Sequence, residues 1–311
     1  MDNAYSINKN LLKNKIYKNW QVYLFILPSV LYLVIFNYFP MYGILIAFKD
    51  FSPRRGILGS EWVGLKYFLR FFSINSFRII LWNTLALSIY QLIAGFPLPV
   101  ILALSLNSCK YDRFKKIVQT VTYAPHFISI VVIVGMLNIF FAPSYGIITS
   151  ILRSFGMLNG PLMTLMNPKA FRHLYVWSGI WTSLGWSSII YLSALSAVDP
   201  SLHESAKVDG ASKFQRVIYI DFPSILPTVV ILLILNCGNI MSIGFEKAFL
   251  LQNALNQSTS EIIATYVFKI GIRDGQYSMA TAVGLFNSLI NFALLVIVNK
   301  LARRYSEYSL W

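Results

Sequence analysis

The chain has 311 residues, of which 56% are hydrophobic and 12% charged, with a formal net charge of +14. A soluble domain carries roughly twice that charged share, about 25%. The composition excludes an ordinary soluble fold and points to a protein that crosses a membrane several times. The basic balance does not read as a nucleic-acid surface: lysines and arginines sit at the ends of apolar segments, where anionic lipid headgroups attract them.

Lys9, Lys13, Lys15 and Lys18 precede an uncharged run from Gln21 to Phe48. A secretory signal has an apolar core of about 7–15 residues and a small-residue cleavage site. This longer run reads as a retained first spanning helix behind a basic segment, residues 1–20. Further uncharged stretches follow at 79–109, 117–152, 173–198, 222–245 and 275–299. Each is long enough for one helical crossing, which takes about 20 residues. The 117–152 stretch is expected to end near Ala142-Pro143 and continue as an extracellular re-entrant or surface stretch. None shows the alternation of a membrane barrel strand, and helices close their backbone hydrogen bonds internally in lipid. The expected fold is all-α: one membrane domain over residues 1–311 with six transmembrane helices. Pro28, Pro40, Pro97, Pro99 and Pro125 fall inside these stretches, so bends or unwound turns are expected there. Cys109 and Cys237 are far apart and form no CxxC; they read as buried small hydrophobes. Trp20, Trp62 and Trp311 fall near expected interfaces, as an aromatic belt would place them.

Six crossings put both termini on one side. That side, with 110–116 and 199–221, carries 14 lysines and arginines against 12 opposite. The positive-inside rule then sets the termini in the cytoplasm by a narrow margin, helped by Lys110, Arg113, Lys115 and Lys116 packed into one short loop.

The 199–221 connector differs from the other loops. Asp199-Pro200 is a helix-start signal, and 201–208 is expected to form a short helix. Asp209-Gly210 is a turn dipeptide, and Ala211 to Ile220 is expected to form a second short helix with Phe214, Val217 and Ile218 on one face. Pro223 and Pro227 mark re-entry into the membrane. Ser205, Ala206, Gly210 and Ala211 permit close approach of a partner, Phe214 offers an apolar anchor, and Glu204 and Asp209 offer charge-assisted hydrogen bonds. On physical grounds alone such a hairpin is either a docking element or a plain connector.

The run Glu204-Ser205-Ala206 followed by Asp209-Gly210-Ala211, Ile220, Pro223 and Pro227 resembles the EAA motif of binding-protein-dependent ABC importer permeases. It departs by Ser205 for alanine and by Phe222 for leucine. The six-helix layout, Leu27-Pro28-Ser29-Val30-Leu31, the 38–43 stretch, Arg273-Asp274-Gly275-Gln276-Tyr277-Ser278 and the terminal Tyr308-Ser309-Leu310-Trp311 extend the resemblance to type I carbohydrate-uptake permeases. Within these the look is that of permeases for polysaccharide fragments, such as alginate or pectin oligosaccharides. The resemblance implies a type I ABC importer permease fold, a cytoplasmic 204–216 coupling helix seated on a separate ATPase, and a bacterial cell membrane location. It also implies a second homologous permease subunit, two ATP-binding subunits holding ATP and Mg, and an extracytoplasmic sugar-binding protein.

Sugars need hydroxyl partners and flat apolar faces. Candidate pathway residues are Trp181, Trp186 and Tyr191 in the fourth stretch, Asn236, Asn239, Ser242, Phe245 and Glu246 in and after the fifth, and Asn287 and Asn291 in the sixth. Intramembrane amides also serve helix–helix hydrogen bonds. Glu246-Lys247 reads as an interfacial pair and His126 as structural. No P-loop, HExxH or GxSxG occurs, so ATP hydrolysis is assigned to another chain and no catalytic or metal residue is expected here. A secondary transporter is the alternative, and an integral membrane enzyme a weaker one; the near absence of charges in the uncharged stretches and of an internal repeat stands against the first.

Overall fold

The computed structural model describes residues 18–305 and 308–311, without the side chain of Tyr305. The basic segment 1–20 therefore lies outside the described residues except for its last three.

Among the described residues, four helices are long and apolar enough to cross a membrane: α1 (Trp20–Phe48), α3 (Phe77–Asn107), α9 (Lys213–Gly238) and α12 (Tyr277–Tyr305). A bent pair, α4 (Asp112–Phe127) and α5 (Ile130–Phe140), brings the number to five if read as one span. The remaining uncharged stretch forms α7 (Pro168–Ser196), 29 residues long. It is long enough to cross, but its serines, glycines, tryptophans and tyrosines, with Lys169, Arg172 and His173, dilute its hydropathy. The six-span layout thus rests on α7's length and not on its composition. Shorter helices include α2 (Lys66–Ser73), α6 (Ile147–Ser154), α8 (Pro200–Val208), α10 (Phe245–Leu251) and α11 (Ile263–Phe268). Among the described residues the extended structure is one antiparallel ribbon, β1 (Lys49–Asp50) against β2 (Glu61–Trp62).

The prolines act differently from one another. Pro28 lies within regular α-helix. Pro40 and Pro223 each follow a π turn, at Val34–Tyr38 and Val217–Asp221. In both, the next N–H reaches back five residues, Phe39 to Val34 and Phe222 to Val217. Proline offers no N–H to the carbonyl four residues before it, and the widened turn accommodates the gap. Pro97 and Pro99 sit in α3 without ending it. Pro125 falls in a 3₁₀ turn, after which the chain bends by 100° and Ser129 caps α5 through Val132 N–H.

Helix α7 is the hub: it packs against α3, α4 and α9, while α9 packs against α12. Small residues set the closest seams, as expected where lipid supplies no hydrophobic drive. A Cβ on Gly185 would stand 2.3 Å from the Thr122 carbonyl oxygen, and one on Gly238 2.6 Å from Leu295. Three apolar clusters form the core, around Phe71 and Val283, around Leu87 and Val176, and around Ala103 and Ile225. The first part of α1 stands apart: Trp20–Leu33 contains no buried residue, whereas its end, Tyr42–Phe48, packs against α12 and buries Ala47. Cys109 and Cys237 are free and half-buried, more exposed than the sequence reading held.

Candidate functional site

Two features stand out, a polar cavity among α3, α7 and α9 and a capped hairpin formed by α8 and the start of α9.

The cavity measures about 410 Å³. Ser88 and Gln91 of α3, Ser183, Ser187 and Tyr191 of α7, Asn236 of α9, and Asn239 and Ser242 just after it supply its polar lining, and no charged residue is among the described lining. Leu92, Phe96, Pro99, Ile180, Ile190 and Leu232 supply apolar patches between them. Asn236 and Asn239 donate Nδ2 to Leu232 and Leu235 carbonyls, at 2.7 and 3.1 Å. Each therefore keeps Oδ1 as an acceptor for a hydroxyl.

One wall is unwound. The sequence reading ran the fifth stretch to residue 245, but the helix ends at Gly238 and 239–244 is irregular before α10. Backbone of this kind needs partners when buried, and side chains from two helices provide them. Asn291 of α12 accepts from Met241 N–H at 2.9 Å and donates to Ser242 Oγ at 2.7 Å. Tyr175 of α7 donates its hydroxyl to the Gly244 carbonyl at 3.1 Å. Buried Lys247 donates to the Tyr175 carbonyl at 2.5 Å and lies over the Tyr175 ring.

The structure thus brings Tyr191, Asn236, Asn239 and Ser242 into one lining and separates the other candidates from it. Trp181 lines a second cavity of about 450 Å³ between α5 and α7, with Trp177, Phe140 and Phe141. Trp186 stacks on His126, ring centres 4.4 Å apart. Phe245 packs with Phe249 and Phe268. Asn291 holds the unwound wall, and the Asn287 side-chain oxygen is buried without a hydrogen-bond partner. Glu246 is in neither lining, and Lys247 turns to Tyr175 instead of pairing with it. Ser88, Gln91, Ser183 and Ser187 escaped the sequence reading. Their signal was the spacing of small polar residues at i, i+3 and i, i+4 within uncharged stretches.

The hairpin is built by local hydrogen bonds. Asp199 caps α8 by accepting from Ser201 N–H at 2.9 Å. That bond holds its carboxyl below the ordinary carboxylate range. At the other end Gly210 takes φ +78. Its N–H reaches the Lys207 carbonyl at 3.1 Å, and Ala211 N–H reaches Ala206 at 2.8 Å. This is a Schellman closure, which favours glycine at the left-handed position. Ser212 and Gln215 then form a capping box. The expected second short helix is not separate: it is the first part of α9, which runs on to Gly238. Glu204, Ser205, Asp209, Gly210 and Phe214 are exposed, Ala206 and Ala211 half-buried. Val208 and Phe214 are 89% and 73% exposed, so the hairpin presents apolar side chains outward.

Residues 95–307 match the family of binding-protein-dependent transport system inner membrane components, and the chain belongs to it. It is an integral membrane protein of a transport system. It is 43% identical over 297 residues to the polygalacturonan/rhamnogalacturonan transport system permease protein YteP of Bacillus subtilis (strain 168), covering 96% of this chain and 92% of that one. It is 40% identical over 290 residues to Protein LplB of the same organism, covering 93% and 91%. Among solved structures it is similar to a bacterial ABC transporter involved in import of the acidic polysaccharide alginate. There the TM-score is 0.86 at 36% identity, over 94% of this chain and 99% of the other. It is also similar to a bacterial alginate ABC transporter in complex with an alginate pentasaccharide-bound periplasmic protein, with a TM-score of 0.87 at 35% identity over 96% and 99%.

Proposed function

We propose that this chain is one of two permease subunits of an ATP-driven importer, passing oligosaccharides rich in uronic acids along the α3–α7–α9 cavity. The carrying observation is that cavity: hydroxyls and amides alternating with apolar patches, on a wall that irregular backbone shapes. This suits sugar hydroxyls and ring faces. The relatives' acidic polysaccharide substrates point to the uronate class. A binding protein delivers the substrate, as in the alginate transporter. The hairpin, with Glu204, Ser205, Ala206, Asp209, Gly210, Ala211 and Phe214, docks on a separate ATPase that holds ATP and Mg. Both termini lie on the ATPase side, in the cytoplasm of a bacterial cell, and residues 1–311 act as one membrane domain. The unpacked Trp20–Leu33 stretch supports a sister subunit, because a stretch of span with no buried residue in its own chain is open to another's surface. Alternating access needs only that ATP and substrate bind the inward and outward states with different affinity.

The hairpin reading is tested in membranes that contain the whole complex. Cysteine substitution at Ala206 is expected to yield a crosslink to the ATPase. Gly210→Pro can neither adopt φ +78 nor donate to Lys207. It is expected to cut ATP-dependent uptake at least about tenfold while the chain still inserts. Normal uptake in Gly210→Pro would contradict the reading.

A further inference from the structure

Helix α8 contributes no buried residue, so little apolar packing holds it to the spans. Its side-chain polar tie to them, among the described contacts, runs through His203. The His203 Nε2 lies 3.2 Å from Asp221 Oδ1, and Asn107 Nδ2 donates to the same oxygen at 3.2 Å. Asp221 is only 2% exposed and sits in the π turn of α9, two residues before Pro223. Arg216, on the same helix, adds positive charge nearby and keeps a buried Nε without a partner. Three elements therefore meet at one carboxylate: the hairpin through His203, the cytoplasmic end of α3 through Asn107, and α9 itself. A buried carboxylate left unpaired is costly, so these partners are strongly held. Glu204, Ser205, Val208, Asp209 and Phe214 of the hairpin are exposed.

We propose that Asp221 and His203 form the joint that transmits movement of the coupling hairpin into α3 and α9, making both positioning residues for coupling. The inference rests on the reading of α8 as the ATPase-docking element. Without the joint, α8 can move against the spans when the ATPase closes, and nucleotide hydrolysis proceeds without turning the bundle. The joint lies away from the cavity, so substrate recognition is left intact.

The test uses the assembled complex of this chain, sister permease and ATPase in proteoliposomes, with its binding protein and a mixed oligogalacturonide digest. The readout is substrate moved per ATP hydrolysed. Asp221→Asn and His203→Ala are each expected to lower that ratio about tenfold, the scale of one lost charge-assisted bond. The KM for the loaded binding protein should stay unchanged. The double variant should be no worse than either single one, because both remove one joint. His203 is part-exposed, so His203→Ala decides the matter if Asp221→Asn fails to assemble. An unchanged ratio in His203→Ala, or additive losses in the double variant, would overturn the joint. Gly210→Pro separates the two layers: normal coupling there defeats the docking reading itself. Uncoupling there with normal His203→Ala defeats only the joint.

Discussion

The hairpin and the cavity lie at two parts of one bundle and are specified by opposite means. Asp199, Gly210, Ser212 and Gln215 fix the hairpin through bonds to residues at most five positions away. The cavity wall is fixed by Asn291 and Tyr175, which hold Met241 and Gly244 from 50 and 69 residues away. Local chemistry shapes the exposed hairpin proposed to meet a partner. Helix packing shapes the cavity proposed to pass a substrate.

The largest effect is expected at a packed seam of α7, the helix whose other face lines the cavity. Gly185→Leu drives a side chain into the Thr122 backbone, only 2.3 Å from where its Cβ would lie. A cost of about 3 kcal/mol or more is expected. Yield and thermal stability of the purified complex should collapse, although the hairpin's sequence is untouched. A stable variant would mean that the α4–α7 seam yields.

A smaller effect is expected inside the cavity. Asn236→Leu and Asn239→Leu each remove an acceptor from the lining, and uptake KM should rise about tenfold. ATPase binding should not change. Unaltered uptake kinetics in both variants would remove the amides from the pathway.

The smallest effect is local to the hairpin. Asp199→Ala removes the α8 cap and should speed amide exchange of Ser201 about fivefold, with the cavity amides unaffected. Because the Asp199 carboxyl is held below its ordinary range in the fold, its support is present at neutral pH. That support is lost as pH falls below about 4, through the lowered value. Protection of Ser201 that does not change with acid or with the alanine would show that the cap is idle.

The same contrast explains what the sequence made legible. Helix type, the start of α8 at Asp199 and the turn at Gly210 followed from residues close in the chain, and so did the EAA resemblance. The end of α9 did not, because its last turn is replaced by bonds to Asn291 and Tyr175 from other helices. Trp181 and Asn236 looked equally suited to a sugar, yet helix rotation sends Trp181 to the second cavity and Asn236 to the first. Asn291 looked like a pathway amide and serves the wall. The His203–Asp221 contact lay unread within the loop that drew the most notice, since neither residue belongs to the motif.

The most direct measurement of the central claim is reconstitution of the chain with its sister permease, ATPase and binding protein in sealed proteoliposomes. Accumulation of labelled oligogalacturonide is then followed with ATP supplied on the ATPase side. The account predicts uptake that requires ATP and the binding protein and ignores a protonophore. Uptake by this chain without an ATPase, driven by an ion gradient and abolished by the protonophore, would contradict it.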